Sequence, residues 1–148
     1  MVGTTERQPP ARAWIDYLTA VLAGVIVFAA CFVVLRGLTQ DFFDWMIFGG
    51  SATPDSFGAE ARDYIEFIYV VLGAVMIGWM VALLAITRGP LAAGEPWGWY
   101  AVAGSLGTWF AVDTTFSLAL SYPENAVLNA VVAAAAGVGL WATRPSRA

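Results

Sequence analysis

The chain has 148 residues, of which 59% belong to the apolar set A, V, I, L, M, F, W, Y and C, and only 12% are charged. About a quarter of the residues in a soluble domain are charged, so this composition excludes an ordinary water-soluble fold. A mean hydropathy of +0.71 indicates that most of the chain contacts lipid.

The absence of certain residue types from the sequence excludes several kinds of chemistry. The chain has neither histidine nor lysine, and Cys31 is its single cysteine. Haem or zinc ligation by imidazole, Schiff-base chemistry and dithiol chemistry within one chain are therefore excluded. The formal net charge of −4 does not fit a nucleic-acid partner. We expect no catalytic residues, no cofactor and no metal.

Four apolar segments have the length of membrane spans. A spanning helix needs about 20 mostly apolar residues to cross a hydrocarbon layer of about 30 Å. Residues 14–35, 64–87, 97–120 and 126–143 meet this condition, and the prolines near them lie in or beside the gaps. We predict an all-α, polytopic membrane protein with one domain over residues 1–148, a bundle of four transmembrane helices.

The first segment has an alternative interpretation as a cleaved signal that ends at a lipidated cysteine. Two arginines precede it, and Phe28-Ala29-Ala30-Cys31 approximates a lipoprotein box. The apolar run continues through Leu35, which such a signal would not require. A span is therefore favoured over a signal.

The charges are distributed unevenly about these segments. Arginines precede the first segment, separate the second from the third and follow the fourth: Arg7, Arg12, Arg88, Arg144 and Arg147. On the other side Arg36 and Arg62 are outnumbered by acids: Asp41, Asp44, Asp55, Glu60 and Asp63. The positive-inside rule then places both termini in the cytoplasm. Aromatic residues at the inner ends are predicted to lie at the interface: Trp97, Trp99, Tyr100 and Trp141.

The outer loop over residues 36–63 is the only long connection. Its stretch Asp41–Phe48 mixes acids with the aromatic residues Phe42, Phe43, Trp45 and Phe48. This pattern favours a short amphipathic helix that lies in the outer interface, with aromatic side chains at the headgroup boundary. Asp55 to Glu66 is predicted to form a charged lead-in to the second span.

Small residues recur along each span at the spacing of helix contacts. Close helix approach in lipid depends on such residues, because lipid is as apolar as leucine. Pairs occur at Ala20 and Gly24, at Gly73 and Gly78, and at Ala133 and Gly137, with Ala103, Gly107 and Ala111 in the third span. A packed bundle is expected, although the high frequency of these residues in membrane helices explains part of the pattern.

Asp113 is the only acid well inside an apolar span. It follows the inner aromatic residues by 13 to 16 positions, which is roughly 20 to 24 Å of helix and places it in the outer half of the membrane. A carboxylate near the bilayer centre costs about 2.5 to 3.5 kcal/mol on insertion scales, so it should face the interior, be paired or be protonated.

Polar residues at similar depth form a predicted polar layer with Asp113: Ser117, Asn125, Asn129, Glu66, Tyr69 and Arg36. Amide and hydroxyl donors would stabilise the ionised carboxylate, whereas desolvation and Glu66 would favour the protonated form. The same residues suit a structural network, a small-molecule or ion site, or a contact with a partner. For Arg36 and Glu66, near helix ends, a solvated position is favoured.

The second half of the chain contains three motifs: Gly94-Glu95-Pro96-Trp97-Gly98-Trp99, Trp109-Phe110-Ala111-Val112-Asp113-Thr114, and Asn125-Ala126-Val127-Leu128-Asn129. With these motifs it resembles a group of small, uncharacterised four-helix bacterial membrane proteins. The resemblance implies four spans in a bacterial inner membrane and no established activity. Small multidrug-resistance transporters differ, since their membrane carboxylate lies in the first span, and DoxX-like proteins share only the span count.

Three functions remain open. The first is a non-enzymatic accessory or interaction subunit, whose partners are the bilayer and either a membrane protein or further copies of the chain. The second is transport or sensing of a small cation, proton or amphiphile at Asp113. The third, a membrane enzyme that uses Asp113, Glu66 and Tyr69, lacks a nucleophile, a metal cage or a phosphate loop and is the least favoured.

Overall fold

The residues that the structure describes form four long helices and one short helix. The structure, a computed structural model, describes residues 9–48 and 58–145. The helices are α1 (Arg12–Val34), α2 (Arg36–Phe48), α3 (Ala59–Ile86), α4 (Pro96–Ala119) and α5 (Pro123–Ala142). The predicted all-α class is confirmed. Arg7, Asp55 and Arg147, which entered the charge argument, lie outside the described residues.

Each long helix begins one to five residues before its predicted segment and ends one residue before the predicted end. α3 begins at Ala59, five residues before the predicted start at position 64, so its first turns carry the described part of the charged lead-in. α2 begins at Arg36 and covers the predicted amphipathic stretch completely. Proline at the first position starts both α4 and α5, where the missing N–H leaves no helical hydrogen bond unmade.

Within the described ranges, three helical segments are long and apolar enough to cross a membrane: Arg12–Val34, Ala59–Leu91 and Pro123–Ala142. Only 17% to 22% of the most apolar window in each is buried by the rest of the protein, so their outward faces present apolar side chains. These properties associate the chain with a membrane. α4 is comparably long, but its Gly, Ser, Thr and Trp residues and Asp113 make it less apolar.

A π-helical turn over Thr87–Leu91 extends α3 and leads into α4. The wide turn accommodates Pro90, which has no N–H to donate. Gly94 follows with a positive φ of 76°, and Gly98 in the first turn of α4 touches the turn itself. A Cβ at Gly98 would lie 2.6 Å from the backbone nitrogen of Leu91, so this junction requires glycine.

The two ends of the long helices differ in charge. We call the end near Arg12, Arg88 and Arg144 the arginine end, and the end that carries α2, Asp113 and the start of α5 the acidic end. Buried apolar side chains from all four long helices form the core in the half toward the arginine end: Leu22, Met80, Leu83, Val102, Leu106 and Ala136. A second cluster of Ile15, Leu18 and Leu91 continues it to the π-helical turn.

α1 lies against both α3 and α5, and α4 packs mainly along α5. α1 and α3 approach closely at Gly73, where a Cβ would lie 2.7 Å from the carbonyl oxygen of Ala29. The expected small-residue contact is thus present at Gly73. It is absent at Gly24, Gly78, Gly107 and Gly137, where an added Cβ would meet no described atom within 4 Å.

α2 folds back over the acidic end after a break at Leu35 and touches α1, α3 and α5. The Thr39 hydroxyl donates to the carbonyl oxygen of Cys31 across the break, at 3.0 Å. Phe43 stacks on Tyr69 of α3 with ring centroids 5.5 Å apart and meets Phe32 of α1 edge-on at 5.4 Å. These contacts hold α2 across the helix ends.

Candidate functional site

Asp113 lies at the centre of a polar cluster between α4 and α5. Its Oδ1 accepts a hydrogen bond of 3.0 Å from Asn125 Nδ2, and its Oδ2 accepts one of 3.2 Å from the indole Nε1 of Trp109. Indole N–H and amide NH₂ groups only donate, so both partners satisfy an ionised carboxylate. Each oxygen of the Asp113 carboxyl group thus has a hydrogen-bond donor from the protein.

Ser117 completes the cluster on α4. Its Oγ lies 2.7 Å from the carbonyl oxygen of Asp113 and 3.2 Å from Oδ1, and it accepts a hydrogen bond of 2.8 Å from Asn125 Nδ2. The two hydrogens of the Asn125 amide thus reach two acceptors on α4. Asn125 is the residue that joins the two helices at this level.

Helical spacing explains how the sequence builds this cluster. Trp109, Asp113 and Ser117 follow one another at intervals of four residues, so they share one face of α4. The short connection to α5 turns through Ser121, whose φ is +66°, and returns the chain directly beside the end of α4. Asn125 is consequently in the first turn of α5, opposite Asp113.

A cavity of about 240 Å³ opens beside the cluster and is covered by α2. Its polar lining consists of Asp113, Ser117 and Asn125, and the remaining lining residues are apolar or aromatic: Phe43, Met46, Ile47, Phe116, Leu120 and Tyr122. Asp113 is half-buried, so its carboxylate is accessible from this cavity. Drug-sized ligand pockets measure about 300 to 1,000 Å³, so this cavity suits a smaller molecule.

The charge of Asp113 has no ionic partner among the described residues. No described arginine lines the cavity, and the carboxylate forms no ion pair there. The first turn of α5 supplies the positive end of a helix dipole near Asn125, which offsets part of a unit charge. A carboxylate with about four acceptor positions and few protein donors retains capacity to bind another group.

The structure brings together Asp113, Ser117 and Asn125 from the predicted polar layer. Asn129 lies one turn further along α5, where its Nδ2 is 3.4 Å from the hydroxyl of Thr114 rather than from the carboxylate. The other three predicted members are elsewhere. Tyr69 packs on Phe43, Arg36 is exposed at the start of α2, and Glu66 makes no hydrogen bond within the described ranges.

The aromatic residues that were predicted to lie at the inner interface also take two different positions. Trp97, Tyr100 and Trp141 are exposed at the arginine end, and Trp141 carries the Arg144 guanidinium 4.1 Å above its ring. Trp99 turns inward instead, and its Nε1 donates to the carbonyl oxygen of Leu140 at 2.7 Å.

On α2 the aromatic residues face opposite ways. Phe42, Trp45 and Phe48 are exposed, whereas Phe43 faces the long helices and the cavity. α2 therefore presents aromatic side chains on its outer side as well as toward the long helices.

A larger, shallow groove of about 580 Å³ lies between α3 and α4, lined mainly by Trp79, Gly104, Ser105 and Trp109. The Trp79 indole donates to the Ser105 hydroxyl at 2.7 Å, and its ring centroid lies 6.1 Å from that of Trp109. The groove is open to the helix surface and contains no charged side chain among its lining residues. Its polar atoms are mostly paired, so the Asp113 cavity is the better candidate site.

Sequence reasoning did not assign Trp109, Met46 or Ile47 to the site, and it placed Phe43 in the outer interface rather than at the cavity. Trp109 precedes Asp113 by one helical turn, so the i, i+4 spacing is a signal that points to it. Phe43, Met46 and Ile47 carry no such signal, because only the tertiary fold brings α2 to Asp113.

Comparisons of the chain with protein-family models, with curated proteins and with solved structures find no match. The resemblance to small four-helix bacterial membrane proteins therefore stays a prediction from the motifs of the second half.

Proposed function

We propose that this chain is a non-enzymatic, four-span protein of a bacterial inner membrane that binds a small solute in the Asp113 cavity, for transport or sensing. α4 serves as the fourth span in this proposal. Its 24 residues give about 36 Å of helix, enough for a hydrocarbon layer of about 30 Å. The apolar outer faces of the other long helices support the membrane setting.

The charge distribution supports an orientation with the arginine end and both termini in the cytoplasm. Arg12, Arg88 and Arg144 lie at that end, and acids predominate at the other. The cavity then faces the outer side of the membrane. A solute would reach Asp113 from outside, past α2.

The observation that carries the proposal is that the Asp113 carboxylate lines a cavity. A network with a purely structural role is expected to saturate its acceptors in a dry contact between helices. Here the donors from Trp109 and Asn125 orient the carboxylate, and its remaining acceptor positions face the cavity. Ionisable groups within membrane segments commonly mark such sites.

The test compares Asp113→Asn with the same change at an exposed acid of α1, Asp16→Asn. Each protein is purified in an uncharged detergent, and its thermal unfolding is followed with a panel of neutral, anionic and cationic compounds small enough for the cavity. We expect one class to raise the Tm of the wild type and of Asp16→Asn, but not that of Asp113→Asn. The proposal fails if no compound acts, or if Asp113→Asn responds as the wild type does.

The sequence favoured an accessory or interaction subunit, and two observations support this as a second candidate. α2 exposes Leu38, Phe42 and Trp45 on its outer side, and Gly78 and Gly107 face away from the described helices. Such surfaces suit a second copy or another membrane protein. Crosslinking in native membranes tests this candidate, and recovery of the monomer alone would count against it.

A further inference from the structure

The cavity contains one acidic side chain, Asp113, and no basic one among the described residues. Trp109 and Asn125 donate hydrogen bonds to the carboxyl group, and neither of them carries a charge. Among the described residues no arginine lines the cavity. We propose that the solute is a small organic cation, a substituted ammonium whose charge pairs with Asp113. This inference rests on the proposed function and specifies its ligand.

The walls of the cavity suit the apolar body of such a cation. Phe43 of α2, Phe116 of α4 and Tyr122 of the α4–α5 connection line it from three elements. Aromatic faces attract ammonium groups through the ring quadrupole, and aromatic residues recur where proteins bind quaternary ammonium ligands. Met46, Ile47 and Leu120 provide further apolar contact for methyl or methylene groups.

The same lining disfavours a bare metal ion. Hard cations such as Ca²⁺ require about six to eight oxygen ligands, and Mg²⁺ retains several waters. The cavity offers a single carboxylate, and its other walls are largely carbon. An alkylated ammonium is hydrated more weakly than an inorganic ion and can replace its water by contacts with one carboxylate and several aromatic rings. It therefore fits the lining of this cavity better than an inorganic ion does.

The surroundings of the cavity favour a cation as well. The described residues at the acidic end include Asp41, Glu60, Asp63 and Glu124, all exposed, and only Arg36 and Arg62 oppose them. An excess of acids at the same end of the protein as the cavity raises the local concentration of cations there. The field of these acids attracts cations toward the cavity, and the contact with Asp113 then favours a cation over an uncharged molecule.

The test uses two probes of nearly equal shape, choline and its uncharged carbon analogue 3,3-dimethylbutan-1-ol. Binding to the full chain in maltoside micelles is measured by titration calorimetry. We expect choline to bind at least about ten-fold more tightly than the alcohol. Asp113→Asn should remove this difference, and Asp16→Asn should preserve it.

Phe116→Leu keeps the carboxylate and tests the aromatic wall. It should weaken choline binding about three- to ten-fold and affect the alcohol less. Phe67→Leu, at an equally exposed phenylalanine of α3, is the matched control and should leave both affinities unchanged. Because Phe116 is 61% exposed, this variant should fold even if Asp113→Asn does not.

Three results would overturn the cation proposal: equal binding of both probes, binding of neither, or a preference for choline that survives Asp113→Asn. If both probes bind equally and Asp113→Asn abolishes that binding, the solute site is supported and only the assignment of a cationic ligand is rejected. If neither probe binds, the compound panel decides separately whether the cavity binds any solute.

Discussion

The half of the molecule toward the arginine end and the half toward the acidic end are built differently. The first brings apolar side chains of all four long helices together, around Leu22, Met80 and Val102. The second places hydrogen-bonded polar groups, a cavity and the short helix α2 in the equivalent position. The two halves differ where α4 meets α5, whereas α1 and α3 pack closely toward the acidic end as well, with Ala29 and Phe32 buried against Gly73.

Small residues allow close helix packing, which drives association in lipid, in both halves. Gly98 and Gly139 lie against neighbouring atoms in the arginine half, and Gly73 does so toward the acidic end. The polar groups at the acidic end contribute less, since intramembrane side-chain hydrogen bonds average about 0.6 kcal/mol. A site can therefore exist at the acidic end without carrying the stability of the fold.

The largest effect on stability is expected from Gly98→Ala. The new Cβ would lie 2.6 Å from the backbone nitrogen of Leu91 and 3.0 Å from the carbonyl carbon of Pro90, and backbone atoms cannot easily move aside. We expect the free energy of unfolding, measured by SDS titration in mixed micelles, to fall by about 2 to 3 kcal/mol. Gly107→Ala, which meets open space on the same helix, should lower it by no more than about 0.5 kcal/mol. Equal losses would contradict the assigned junction.

A smaller loss is expected from Leu22→Ala in the core. Burial from lipid adds little transfer energy, so the cost is mainly that of the cavity, about 2 kcal/mol at the lower end of the Leu→Ala range. Val27→Ala removes a side chain of the same helix that is 67% exposed and should cost almost nothing. If both changes cost the same in SDS titration, the core does not lie in this half.

The smallest effect on stability is expected from Asn125→Ala at the acidic end. It removes the donor to Asp113 and Ser117 and should lower the free energy of unfolding by only about 0.6 kcal/mol. The Tm response to the active compounds should nevertheless weaken. Asn129→Ala, which loses a contact to Thr114 instead, is the matched control and should keep that response. A loss as large as that of Leu22→Ala would break the comparison between the two halves.

The helices of this fold were predictable because their signals are local. Apolar runs of spanning length and prolines at the gaps located the four long helices, and the aromatic stretch after Asp41 located α2. Their ends were predicted less well, since charged residues such as Glu60 and Asp63 extend α3 beyond its apolar part. Polarity marks the end of a hydrocarbon layer, whereas hydrogen bonding and packing decide where a helix ends.

The site was predictable only where its members share a helix or a short turn. Asp113, Ser117 and Asn125 meet as expected, because the connection between α4 and α5 is short. Similar depth in the membrane was a poor guide for Glu66 and Tyr69, because depth does not determine the direction in which a side chain points. The position of α2 over the Asp113 cavity depends on packing between Phe43, Phe32 and Tyr69 from three helices. No local sequence pattern encodes this packing.

The hydrogen bond from Trp109 to Asp113 also has an optical consequence. The indole N–H of Trp109 points at Oδ2 from 3.2 Å, so the electric field along the ring depends on whether the carboxylate is bare, protonated or paired with a cation. Indole emission shifts in wavelength with such a field. The protein thus contains its own fluorophore beside the cavity, and the difference spectrum between wild type and Trp109→Phe reads the occupancy of Asp113 without any label.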